Sequence, residues 1–212
     1  MKGDILIIGE QHRKAARQVF QLIEGQIKSS NGTFFITVAG ESGAGKSEIA
    51  AALAEDIEKA GYLVFVIQQD DFFVYPPKTN EAKRLESGGK VGPEEVHLDL
   101  LNEIVRNIKK GVKEIVKPLV IFDEDRITEE KVEIGKFKVI IMEGTYTTLL
   151  ENIDCKVFID RNLDDTRADR HKRNREKQDD FLEKILLTEH KIISSHKPLA
   201  DIIITRHYDA VK

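Results

Sequence analysis

A chain of 212 residues, 41% hydrophobic and with five prolines, suits one globular domain with an ordinary core. Its net charge of −4 offers no global attraction to nucleic acid or to an anionic membrane, so neither is expected as a partner. No apolar run approaches membrane-spanning length, "DILII" near the start is too short for a signal peptide, and the single cysteine excludes an internal disulfide. A reducing cytoplasm is therefore the expected setting.

In chain order, Ala16, Val19, Phe20, Ile23 and Ile27 have helical spacing and predict an N-terminal helix over 11–28. "SSNG" breaks it before a first buried strand at 33–39. A second helix follows residue 45, with Ile49, Leu53 and Ile57 on one face and Gly61 stopping it. "YLVFVI" is a second buried strand, ending in "QQDDFF". Residues 74–94 are polar, rich in Pro and Gly and aperiodic, and read as a loop or lid. A helix over 95–110 presents Leu101, Ile104, Val105 and Ile108 inward. "KEIVKPLVIFD" and "KVEI" suggest a short excursion of strands. "KFKVIIMEG", "CKVFID" and "ADIIIT" are three further buried strands, with helices expected at 163–176 and 178–195 between the last two. Apolar strands alternating with helices predict an α/β fold, a parallel five-stranded sheet covered on both faces.

The stretch "GESGAGKSE", residues 40–48, lies between the first strand and the second helix. Its glycines let successive amides point inward at an anion, and the helix N-terminus adds its partial positive charge. The pattern G-x-x-x-x-G-K-S is complete and sits in strand–loop–helix context. Gly40, Glu41, Ser42, Gly43, Ala44, Gly45, Lys46, Ser47 and Glu48 are thus the nucleotide-binding candidates, with Lys46 reaching the outer phosphates and the Ser47 hydroxyl placed for magnesium.

Ligands of open α/β sheets bind beyond the carboxyl ends of the strands. That rule singles out Asp70 and Asp71, Glu143 and Asp160. An acid there can hold magnesium or take a proton from an attacking hydroxyl, although loop acids are often merely solvated. Glu143 follows a fully apolar strand directly, which favours the functional reading. "TRADRHKRNREK" places Arg167, Arg170 and Arg173 on one broad helical arc, either a solvated surface or a cationic lid over a moving phosphate. Cys155 lies in an apolar run and reads as an inert buried thiol. The six histidines are scattered without an H-x-x-x-H pair, so zinc is not indicated.

Taken together, the chain resembles the uridine kinase and phosphoribulokinase branch of the P-loop kinases from about residue 33 to 206. The resemblance rests on "GESGAGKS", "DDFF", an excursion "KPLVIFDEDR", "IIMEG", "RADR" and "PLADIIIT", in that order. It implies a single P-loop kinase domain with substrate-side excursions at 72–95 and 113–136, a lid at 163–180, and residues 1–30 as a helical extension. Asp70 resembles the family's catalytic acid, and Asp71 stands where the family has Ser. Ser47 and Glu143 resemble the magnesium-side residues, and Arg167 and Arg170 the lid arginines. Phe72 and Arg126 fall on the acceptor side. "TRHY" lies where the family cradles adenine, which nominates His207. Nucleoside-phosphorylating members have Tyr-Asp and His before the excursion arginine, whereas this chain reads "VIFDED".

The expected activity is transfer of the γ-phosphoryl group of ATP, with Mg²⁺, to a hydroxyl of a nucleoside, sugar or vitamin-like acceptor. The rivals are a nucleotide-dependent ATPase or switch without an acceptor, and a kinase that binds nucleotide without turnover. No Asn/Thr-Lys-x-Asp guanine signature is present. A homo-oligomeric state stays open.

Overall fold

The structure, a computed structural model, describes residue 1, residues 6–173 and residues 180–212. Its elements are α1 (Glu10–Ser29), β1 (Phe34–Gly40), α2 (Lys46–Lys59), β2 (Val64–Gln68), α3 (Pro77–Glu86), α4 (Leu98–Lys109), β3 (Ile115–Ile121), β4 (Arg126–Val132), β5 (Val139–Glu143), β6 (Cys155–Ile159), α5 (Leu163–Arg173), α6 (Asp180–Ile193), β7 (Ile202–Ile204) and β8 (Ala210–Val211).

The main sheet runs β2-β5-β1-β6-β7-β8, and the first five of these strands are parallel. β8 is a sixth, antiparallel strand on β7, too short to be read from periodicity. Alternation along β1 sends Phe34, Ile36 and Val38 to a core shared with α1 and α2, and Phe35 and Ala39 to one shared with α4. β1 is buried along its whole length, which is why it reads as a continuous apolar run.

β3 and β4 form a separate antiparallel hairpin. Its turn residue Asp125 has a φ of 46° and caps α3 from a distance. Asp125 Oδ1 accepts the Lys78 N–H at 2.7 Å, and Oδ2 accepts the Thr79 N–H at 3.1 Å and the Thr79 hydroxyl at 2.7 Å. α3 is the main departure from the sequence reading, which took 74–94 as loop. Only Asn80 in it is buried, so no apolar stripe exists to reveal it. A carboxylate more than forty residues away satisfies its first amides instead.

Candidate active site

The loop between β1 and α2 is held by left-handed glycines at Gly43 (φ 80°) and Gly45 (φ 94°). A Cβ on Gly43 would stand 2.7 Å from Arg170 Cγ, and one on Gly45 would stand 3.2 Å from His12 Nε2. These glycines therefore admit two close neighbours, α5 above the loop and α1 behind it. Lys46 opens α2, and its ammonium donates to the Glu41 carbonyl at 3.0 Å across the loop. α6 reaches the loop's outer side chains. Ser42 Oγ donates to Glu189 Oε1 at 3.1 Å, and His190 Nδ1 lies 2.6 Å from Glu41 Oε1. Burial pushes the Glu41 carboxyl up, against the pull of His190 and Lys46. Ala44 and Glu48 are buried at the base of the loop.

Beyond the strand ends, Ser47 Oγ donates to Glu143 Oε1 at 3.0 Å. β2 ends at Gln68, and Asp70 and Asp71 ride on a short 3-10 turn, Gln69–Phe72, rather than on the strand itself. They still diverge. Asp71 is buried, with Oδ2 accepting from Lys117 Nζ at 2.9 Å and Oδ1 accepting the Val120 N–H at 3.0 Å and lying 3.0 Å from the Met1 ammonium. It therefore ties the turn to the hairpin instead of capping or solvating the loop, as a bland reading would have it. Asp70 turns to the phosphate side. Burial raises its carboxyl, Lys46 and the Met1 ammonium pull it down, and it raises Glu143 in turn.

Glu143 is pushed from its ordinary 4.5 to about 7, first by burial and then by Asp70. The group of hard oxygens, Ser47 and Glu143 with Asp70 close by, suits a magnesium ion, since a dication relieves the repulsion between the two carboxylates. Among the described residues no three His, Cys, Asp or Glu side chains form a metal cage. That fits an ion which takes its remaining ligands from phosphate and water.

A pH dependence follows for the metal-free protein. The folded state keeps the Glu143 proton up to about 7, whereas the unfolded chain releases it near 4.5, so the folded state binds more protons between those values. Stability should therefore fall as pH rises through that window. Thermal melts in chelator from pH 4.5 to 8 should show a smaller fall in Glu143→Gln than in the wild type. Parallel curves for the two proteins would refute a raised carboxyl.

The other sequence candidates disperse. Arg170 lies over Gly43 and donates through Nη1 to the Leu163 carbonyl at 2.9 Å. Arg167 is exposed, 3.5 Å from Asp164 and 3.7 Å from Glu183. Residues 174–179 of the expected lid, and the side chain of Arg173, lie outside the described residues. Phe72 is fully buried in the α4-side core, and Arg126 is exposed and paired with Glu124 at 2.7 Å, so neither joins the Asp70 cluster. Asp160 makes a half-exposed pair with Lys197. His207 is exposed beside Arg206 on the turn between β7 and β8. Burial pushes the Cys155 thiol up to about 12, as suits an inert group.

Several site residues escaped the sequence reading. Arg84 is on α3, His12 on α1, and Glu189 and His190 on α6. Only Glu189 left a trace, as a carboxylate on the buried stripe of Ile185, Leu186 and Ile193. Arg84 sits in a polar run with nothing to distinguish it.

This arrangement of glycine loop, strand-end acids and arginine-bearing helix has a counterpart in known proteins. The model of the "Phosphoribulokinase / Uridine kinase family" matches residues 35–209. The chain belongs to that family. A bifunctional alpha-galactosidase/sucrose kinase of Mediterraneibacter gnavus is 27% identical over 153 residues, which cover 66% of this chain but only 16% of that protein. Uridine-cytidine kinase B of Dictyostelium discoideum is 27% identical over 190 residues, covering 84% of this chain and 76% of the relative. Among solved structures, D-glycerate 3-kinase from Cryptococcus neoformans matches with a TM-score of 0.63 at 15% identity, covering 96% of this chain and 98% of that one. The fold is thus that of the P-loop kinases, with a mostly parallel sheet between helices. The family match begins after α1, so α1 lies outside it. No helix among the described residues is long and apolar enough to cross a membrane.

Proposed function

We propose that the protein is an ATP-dependent kinase that phosphorylates a hydroxyl of a small molecule. The observation that carries this reading is the divergence of the two adjacent acids. Asp71 is consumed by Lys117, while Asp70 is left among Lys46, Glu143 and the phosphate loop. A nucleotide switch needs no second acid beyond its magnesium-side group, whereas a kinase needs one to receive a proton.

In the proposed reaction Asp70 orients the acceptor hydroxyl and takes its proton. The acceptor oxygen bonds to the γ-phosphorus as the bond from that phosphorus to the β–γ bridging oxygen breaks, and ADP leaves. Lys46 and Arg170 hold charge on the moving group, and the amides of residues 43–47 hold the phosphates that stay. Ser47 and Glu143 would hold magnesium, which when bound neutralises charge on the β and γ oxygens. Lys46 has only the Glu41 carbonyl to leave when a phosphate arrives.

The acceptor is tested with a panel of hydroxyl compounds, reading ADP release and product mass. Uridine and cytidine should be poor substrates, because "VIFDED" lacks the Tyr and His of nucleoside-phosphorylating members. Sites built for one set of hydrogen bonds reject ligands that leave polar groups unpaired by about 10⁴-fold. Uridine turnover at a kcat/KM of about 10⁴ M⁻¹s⁻¹ or more would contradict this. ATP hydrolysis that no panel compound accelerates would point to an ATPase instead.

A further inference from the structure

Facing Asp70 across from the phosphate loop is a polar chamber to which nothing above assigns a role. Three elements meet there: α3, the segment after β5, and α6. Lys184 Nζ donates to the Gly88 carbonyl at 2.8 Å and closes the end of α3 onto α6, while Glu189 joins α6 to Ser42.

The donors inside are incompletely used. Arg84 gives Nε and Nη2 to the two oxygens of Glu95, at 2.8 and 3.0 Å, and its Nη1 makes no hydrogen bond among the described residues. Tyr146 is 1% exposed, and its hydroxyl has no hydrogen-bond partner there. Gln69 is equally buried. Its Oε1 accepts the Tyr146 N–H at 2.7 Å, and its Nε2 is unpaired. Buried polar atoms without partners are uncommon and costly, and more than one at one place points to a missing ligand.

We propose that Tyr146, Arg84 and Gln69 recognise the acceptor, and that the acceptor is an uncharged polyhydroxy compound. This rests on the kinase reading above and names the substrate class of that same site. Arg84 and Gln69 can only donate from their unpaired atoms, Glu189 can only accept, and Tyr146 can do either. Hydroxyl groups, which both donate and accept, match such a mixed set, whereas an ammonium would leave the donors unpaired. The charges that act on Tyr146 are Glu189, Glu95, Arg84 and Glu94, three carboxylates against one guanidinium already paired. A phosphate or carboxylate on the acceptor would enter against that balance. Entry needs α3 to part from α6. α3 is mostly exposed and held by polar contacts, so it is the side that gives.

The test uses matched probes with MgATP: D-fructose against fructose 6-phosphate, D-ribose against ribose 5-phosphate, and glycerol against D-glycerate. The uncharged member of a pair should have the higher kcat/KM, and Tyr146→Phe should raise its KM by about tenfold while leaving the KM for ATP within about twofold. A second readout needs no turnover. Because the hydroxyl is buried and unpaired, Tyr146→Phe should raise the thermal midpoint of the ligand-free protein. Preference for the charged members overturns the proposal, and so does a Tyr146→Phe protein with an unchanged acceptor KM or a lowered midpoint. Failure of the kinase reading looks different, as a wild-type protein that neither binds MgADP nor phosphorylates any probe.

Discussion

Replacing Lys46 with alanine should reduce ATP turnover by at least about 10²-fold, the scale on which removing one preorganised charge-stabilising group acts. In the structure the Lys46 ammonium reaches only the Glu41 carbonyl, 3.0 Å away. The side chain is half-buried at the first turn of α2 and belongs to neither apolar core. The fold should therefore survive, and circular dichroism and the melting midpoint should stay close to wild type. The loss should appear in kcat/KM, since lysine acts on phosphate both in the bound nucleotide and as the group moves. Wild-type turnover by Lys46→Ala would sink the proposed mechanism.

The second large effect separates Asp70 from Asp71. Asp70→Asn keeps size and hydrogen bonding but loses basicity, and should lower kcat by about 10²- to 10⁴-fold with ATP affinity little changed. Asp71→Asn should act through a different quantity. It leaves Lys117 buried with Glu130, 3.0 Å away, as its remaining anion. Breaking a buried pair by removing one partner costs about 3 kcal/mol or more. The Asp71 variant should thus melt lower while its folded fraction keeps much of its kcat. Steady-state kinetics and denaturant titration on both variants decide the matter. A crippled kcat in Asp71→Asn with intact stability would exchange the roles.

The parts that were legible in the sequence are those whose physics is local. The glycine loop declares itself because only glycine serves the left-handed positions at Gly43 and Gly45, and the five parallel strands because burial on both faces leaves unbroken apolar runs. α3 stayed hidden because its cap comes from Asp125 and its pairing from Glu95, neither of which a local window contains. The divergence of Asp70 and Asp71 was expected from strand alternation, yet a 3-10 turn produces it, with Lys117 fixing one of the pair. Phe72 illustrates the limit of motif transfer. Its place in "DDFF" suggested a ligand contact, but an aromatic one residue beyond Asp71 continues into the apolar core. Arg126 is similar, since the hairpin turn that carries it also supplies Glu124 as its partner.

The first helix raises a question of where this protein's smallest autonomous unit begins. Family likeness starts at residue 35, so a boundary drawn by ancestry would discard α1. A boundary drawn by cooperativity would not. Val19, Ile23 and Ile27 are fully buried against α2 and the sheet, and three such side chains contribute roughly 5–9 kcal/mol, comparable with the whole net stability of a typical domain. The same helix brings His12 against Gly45, with its ring 3.4 Å from the Tyr208 hydroxyl. Ancestry and thermodynamics thus divide this polypeptide at different places, and an appendage by descent has become a wall of the nucleotide loop.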